Sequence, residues 1–167
     1  ALNGGRPEQL TLRSFLTNFI DFREIVVARR TAFELRKARE RSHILCGLAV
    51  AVTNVDEVVA TIRSSSDAAE AREKLMLRRW PAGSIAEYIK LIDDPTHTIN
   101  KDDTYNLSET QARAILELRL QRLTQIGVKE VTEELKTLSV KIKEYLGILG
   151  SREQIMDIIT NELKEVK

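Results

Sequence analysis

The chain has one cysteine, three prolines, seven glycines and 5% aromatic residues, and each scarcity excludes something. A single thiol, Cys46, cannot form an internal disulfide and fits a reducing compartment, so a cytoplasmic setting is expected. Few glycines and prolines exclude collagen-like and low-complexity chains, and few aromatics disfavour sheet sandwiches. No apolar run approaches the 18 residues of a membrane span, and the first residues carry neither the basic start nor the apolar stretch of a signal peptide, so no membrane partner is expected. Charge of one sign is missing too: 26 Lys and Arg against 25 Asp and Glu give a net +1, and no bulk field draws the chain to nucleic acid. The 167 residues begin at Ala1 and stop within a helical pattern at Lys167, which leads us to expect a piece of a longer protein.

What remains is 43% apolar and 31% charged material with helical periodicity. After a lead-in over 1–10, residues 11–53 hold no proline and one glycine, Gly47, while apolar residues recur every three or four positions. One stripe runs Ala28, Ala32, Leu35, Ala38, Ser42, Leu45, Ala49, Val52; a second carries Phe15, Phe19, Phe22, Val26 and Phe33. A helix over that span is about 64 Å long at 1.5 Å per residue, so it needs a partner arm. Residues 128–167 supply one: Val128, Val131, Leu135, Leu138, Ile142, Tyr145 and Leu149 follow a heptad seam. Gly147 and Gly150 interrupt it, and Ser151 with Gln154 restarts a helix carrying Ile155, Ile159 and Leu163.

Between the arms, residues 54–127 read as a small helical domain. Asn54 with Glu57, Asp67 with Glu70, Ser84 with Glu87 and Ser108 with Gln111 each have the spacing of a helix start. The stretches 80–83 and 93–106 read as loops. The fold class is therefore all-α: a long antiparallel two-helix coiled-coil stalk with a small globular helical domain at its tip, the return arm broken near 147–151.

Sites weighed on chemistry alone are few. The helix over 107–124 is more apolar than one buried face requires. Ala112, Ile115, Leu116, Leu120 and Leu123 cover a local core, and Ala114 and Leu118 remain on another face, beside arginines. Contact with a second protomer competes with burial of both faces inside the domain. Arg23, Arg29, Arg30, Arg36, Lys37, Arg39 and Arg41 outnumber the acids near them, so Arg29, Arg30, Arg36 and Lys37 are weak candidates to face DNA; a solvated face with ion pairs to the return arm competes. The aspartates 93, 94, 102 and 103 lack the order of a calcium loop, His43 and His97 lack partners at zinc spacing, and no activating base stands near Cys46 or any tyrosine. No catalytic residue, metal ligand or cofactor site is expected.

The strings FREIVVARRTAFELRKARERSHILCGLAVAVTNVDEVVATIR (22–63), YNLSETQARAILELRLQRLT (105–124) and LGILGSREQIMDIITNELKEV near the end closely resemble the A subunits of bacterial type IIA DNA topoisomerases, the gyrase branch more than topoisomerase IV. The resemblance covers nearly the whole chain in order. It implies the stalk and tip that form the exit gate, or C-gate: two tips meet as a homodimer, and a transported duplex leaves when they part. It places a dimer contact on Leu107, Gln111, Ala112, Ile115, Leu116, Leu118, Arg119 and Leu120. A hinge is expected at Gly147 and Gly150, because glycine tolerates unusual backbone angles. The family's catalytic tyrosine lies upstream, so this piece should be inactive alone. The gyrase B subunit is the implied partner in the parent heterotetramer and brings ATP and magnesium to it, and double-stranded DNA is the parent's partner. A non-enzymatic coiled-coil adaptor is the rival reading.

Overall fold

The computed structural model describes the chain apart from residues 1, 8, 94–96, 119 and 167, and describes the backbone alone at residues 2, 3 and 120. It is an all-α protein with two minimal β-ribbons. The elements run β1 (Leu2–Asn3), β2 (Arg6–Pro7), α1 (Leu12–Thr53), α2 (Val55–Arg63), α3 (Ala68–Leu77), β3 (Arg79–Pro81), a 3-10 turn at Gly83–Ile85, α4 (Ala86–Ile92), β4 (Thr104–Asn106), α5 (Glu109–Glu117), α6 (Leu120–Gln125), α7 (Val128–Gly150) and α8 (Arg152–Glu165). The chain forms two compact units. One comprises residues 1–36 and 143–167, the other residues 37–142.

The first unit opens with a hairpin in place of an irregular lead-in. Gly4 and Gly5 both take positive φ (56° and 84°), the requirement of a two-residue turn whose twist suits antiparallel strands. Thr11 then caps α1, its Oγ1 accepting the Ser14 N–H. Ion pairs join α1 to α8: Glu162 receives Arg23 and Arg30, and Glu24 receives Arg152 at 2.9 Å. The Arg30 hydrogen bond, ahead of the Arg23 contact, holds the Glu162 carboxyl below the usual range. Within this unit the buried seam of α1 runs through Val27, Thr31 and Leu35, one position earlier than Ala28 and Ala32. The expected second apolar stripe is left in the open: Phe15, Phe19, Phe22 and Phe33 are all exposed. Phe19 and Phe22 form a groove of about 390 Å³ with Ile159, Leu163 and Val166.

The second unit holds the main hydrophobic core. Leu45, Cys46, Ala49, Val50 and Ala51 on α1 lie in it with Val58, Leu75, Trp80, Ile89, Tyr105, Ile115, Leu123, Val131 and Leu135. The division at 36/37 and 142/143 therefore differs from the sequence boundaries at 54 and 127: the last third of α1 is the central core helix of this unit. Arg41 pairs with Glu134 of α7 at 3.0 Å.

The start signals sort by chemistry. Asp67 accepts the Glu70 N–H at 2.8 Å, as its spacing predicts. Asn54 makes no such bond; its Nδ2 donates back to the Val50 carbonyl, so it closes α1 where the chain turns through 91° into α2. Ser84 does not cap either, because Gly83, at φ 51°, opens a 3-10 turn that leads directly into α4. Trp80 and Tyr105, expected in loops, face each other as a pair in the antiparallel β3–β4 ribbon.

Candidate functional site

The expected tip helix is two helices. Ser108 caps α5 with a complete capping box: its Oγ accepts the Gln111 N–H (3.1 Å) and the Gln111 Oε1 accepts the Ser108 N–H (2.9 Å). At Leu118 the backbone becomes extended (φ −73°, ψ 133°), ending α5, and α6 begins at Leu120. LELRLQRL has no glycine or proline, so helix propensity gives no warning of this break; the Leu118 N–H instead closes a tight turn onto the Ile115 carbonyl.

Gln111 organises the surroundings of α5. It is fully buried, and its Nε2 donates to the His43 carbonyl at 2.6 Å and lies 2.9 Å from the Tyr105 hydroxyl. A buried amide is tolerated only with its bonds made, and here both ends are engaged. Gly47 on α1 makes room for it. Trp80, also fully buried, donates its Nε1–H to the Leu75 carbonyl at 2.9 Å, and the Arg78 guanidinium lies 4.9 Å from its ring centre. Neither arrangement is legible in the sequence. A glutamine three residues after a capping serine signals a cap partner, and nothing in its spacing signals a second role against α1.

The residues expected at the dimer contact divide by burial. Leu107, Gln111, Ala112 and Ile115 are sealed within their own unit, at 2% exposure or less, and have no surface to offer a partner. A helix's apolar residues first meet the chain's own core. Leu116 and Leu118 are part-buried, as is Ala114. Leu116 lines a groove of about 320 Å³ with Ala68, Ala69, Arg72, Arg113 and Glu117. Arg119 lies outside the described residues, and so does the side chain of Leu120.

At the expected hinge, α7 runs unbroken through Gly147 to Gly150, and neither glycine takes positive φ. The interruption is Ser151, extended at φ −136° and ψ 112°, whose Oγ accepts the Gln154 N–H at 3.4 Å. Of the expected DNA-facing residues, Arg29 is exposed, Arg30 is paired with Glu162, Arg36 lies 5.5 Å from the Phe33 ring centre, and Lys37 is exposed.

Residues with nucleophilic or ligand chemistry are absorbed by structure. Burial pushes the Cys46 thiol up to about 12, which keeps it protonated and unreactive. Asp102 accepts from the Thr104 hydroxyl, the main cause that holds its carboxyl below the ordinary value, and pairs with Arg79. Asp93 and Asp103 take left-handed turns (φ 54° and 56°), and Asp94 lies outside the described residues. Among the described residues no group of three His, Cys, Asp or Glu is placed to hold a metal ion.

Comparison with known proteins extends over the same residues. The family profile of the DNA gyrase/topoisomerase IV A subunit matches residues 1–164. The chain is 44% identical over 167 residues to the DNA gyrase A subunit of Rickettsia conorii, covering all of this chain and 18% of that protein. It is 46% identical to the DNA gyrase A subunit of Granulibacter bethesdensis, with the same coverage, and 44% identical over 174 positions to that of Haemophilus influenzae, of which it covers 20%. The chain thus spans about a fifth of the length of these relatives.

Proposed function

The chain belongs to the family of DNA gyrase and topoisomerase IV A subunits, and from that premise we propose that it is the exit-gate module through which two such subunits meet and part. In this reading the module holds a homodimer together while a duplex is carried through the enzyme, and releases that duplex when the contact opens. DNA breakage, ATP and magnesium belong to other parts of the assembly, the last two through the gyrase B subunit, and the module contributes contact and movement in the cytoplasm. The gyrase assignment rests on the named relatives; the same module in topoisomerase IV is the alternative within the family.

The observation that supports the gate most is the break between α5 and α6. Ile115 and Leu123 fill the core from either side of it, while Ala114, Leu116 and Leu118 stay part-exposed near Arg113. Burying these apolar groups against a second copy contributes about 25 cal/mol per Å². A contact of that modest kind can hold and still open without unfolding its helices. Bending is assigned to the extended Ser151 between α7 and α8, where the backbone already leaves helical geometry; Gly147 and Gly150 flank it on one side.

Sedimentation equilibrium across a concentration series tests the contact. The wild type should approach about 38 kDa, twice the 19.0 kDa chain mass, and Leu118→Glu should remain a folded monomer. A folded Leu118→Glu chain with the same mass curve as the wild type would place the contact elsewhere.

A further inference from the structure

His43 and His97 are the chain's two histidines, far apart in sequence, yet their rings meet edge to face with centroids 5.6 Å apart and an interplanar angle of 71°. They line a cleft of about 550 Å³ in the second unit. Among the described residues, the charged and titratable groups facing it are Arg39, Glu40 and His43 from α1 and His97 from the segment after α4; α4 contributes Ile92, and α5 with its cap brings Thr110 and Ser108. A volume of that size falls within the range of small-molecule sites.

Arg39 shows what the cleft lacks. Its side chain is half-buried, its Nε is sealed from solvent without a hydrogen-bond partner, and it makes no ion pair among the described residues. A guanidinium only donates, so nothing but an acceptor can satisfy it, and a half-buried charge without one is costly. Glu40, the carboxylate nearest in sequence, is exposed and forms no bond to it.

Ser108 adds a donor that depends on protonation. Its Oγ already accepts the Gln111 N–H and lies 2.7 Å from the His43 Nε2. When Nε2 is bare, the serine proton is given to it. When the ring is an imidazolium, Nε2 donates to Oγ, and the serine proton has to turn elsewhere, with the cleft beside it. An anion beside the two rings and Arg39 favours their protonated forms.

We propose that this cleft is a proton-linked site for a phosphate-class oxyanion, with Arg39 supplying permanent charge, His43 and His97 supplying charge on protonation, and the Ser108 and Thr110 hydroxyls supplying donors. Binding and protonation then favour each other by the same factor. The anion raises the titration midpoints of both rings, and its affinity falls as pH rises through them. Phosphate chemistry reaches such a cleft either as a small free anion or as the backbone of a duplex. The proposal commits to the small anion, and the duplex is the other arm of the test.

The test uses the whole chain, with its two imidazole Cε1–H resonances followed by NMR through a pH titration in chloride, in inorganic phosphate at matched ionic strength, and with a short DNA duplex. Phosphate should raise both midpoints relative to chloride at matched ionic strength. Arg39→Gln should lose about tenfold or more in phosphate affinity with its thermal melt unchanged, and Arg39→Lys should restore most of it. Midpoints identical in phosphate and chloride overturn the proposal, as does an Arg39→Gln chain that binds like the wild type. A duplex that shifts both resonances where inorganic phosphate does not overturns it in favour of backbone recognition.

Discussion

Gly47 and Gln111 compete for one volume: a Cβ placed on Gly47 would stand 2.7 Å from both Cβ and Cγ of Gln111. The clash involves the root of the glutamine side chain, which cannot swing away while the amide holds the His43 carbonyl and the Ser108 N–H. One glycine in the last third of α1 thereby sets how closely α5 approaches.

Replacing Gly47 with alanine should destabilise the chain. Alanine gains about 1 kcal/mol of helix propensity. Overpacking costs about 1–3 kcal/mol, and displacing Gln111 strands buried polar groups in addition. A net loss of about 1–2 kcal/mol should appear in urea unfolding followed by circular dichroism, with an unchanged slope. An equal or higher midpoint would mean that α5 moves aside freely.

Trp80→Phe keeps the ring buried but removes its Nε1–H, leaving the Leu75 carbonyl without that donor in the core. We expect a loss of about 1–3 kcal/mol in the same measurement. Because the chain has one tryptophan, its fluorescence reports this core directly: a folded wild type should resist acrylamide quenching until the unfolding transition.

Cys46 should be silent toward thiol reagents in the native state and react on unfolding, since burial raises its thiol to about 12 from an ordinary 9.0. The sign of its effect on stability follows. Between those values the unfolded chain gives up the proton and the folded chain keeps it, so stability is present below pH 9 and declines as pH rises, by up to about 1.4 kcal/mol per unit. A Cys46→Ser chain should show a shallower decline across that window.

At the start of α3, Glu70 bonds Lys74 and both the backbone and hydroxyl of Ser66. With Lys74 as the largest cause and Ser66 next, its carboxyl is lowered to about 2. The stabilisation it provides is present above the ordinary carboxylate value and fades as pH falls toward 2. In an NMR titration Ser66→Ala, which removes the hydroxyl and keeps the backbone N–H, should move the Glu70 midpoint upward; an unmoved midpoint would leave Lys74 and the backbone N–H as the causes.

How much of this is legible in the sequence depends on length scale. The span of α1, expected at 11–53 and found at Leu12–Thr53, follows from many weak apolar repeats that reinforce one another. The Ser108 and Asp67 caps are local chemistry and are legible for that reason. Trp80 and Tyr105 are not, because three-residue strands have no measurable alternation and their pairing is decided across the ribbon. The same limit explains the contact residues. Ala112 and Ile115 share helical spacing with Leu116, and only the positions of α1 and α3 decide which of them are sealed and which remain part-exposed.

The β3–β4 ribbon has a consequence for how this fold tolerates change. By joining Arg79 to Asn106, Trp80 to Tyr105 and Pro81 to Thr104, it ties the two ends of the intervening chain together at the core. Closing a loop costs entropy that grows only as the logarithm of its length, about 0.6 kcal/mol for each doubling. Extra residues inserted between Asp93 and Asp103 would therefore be carried outside a clasp that does not have to move. The clasp thus holds Trp80 in place whatever the length of the chain it closes.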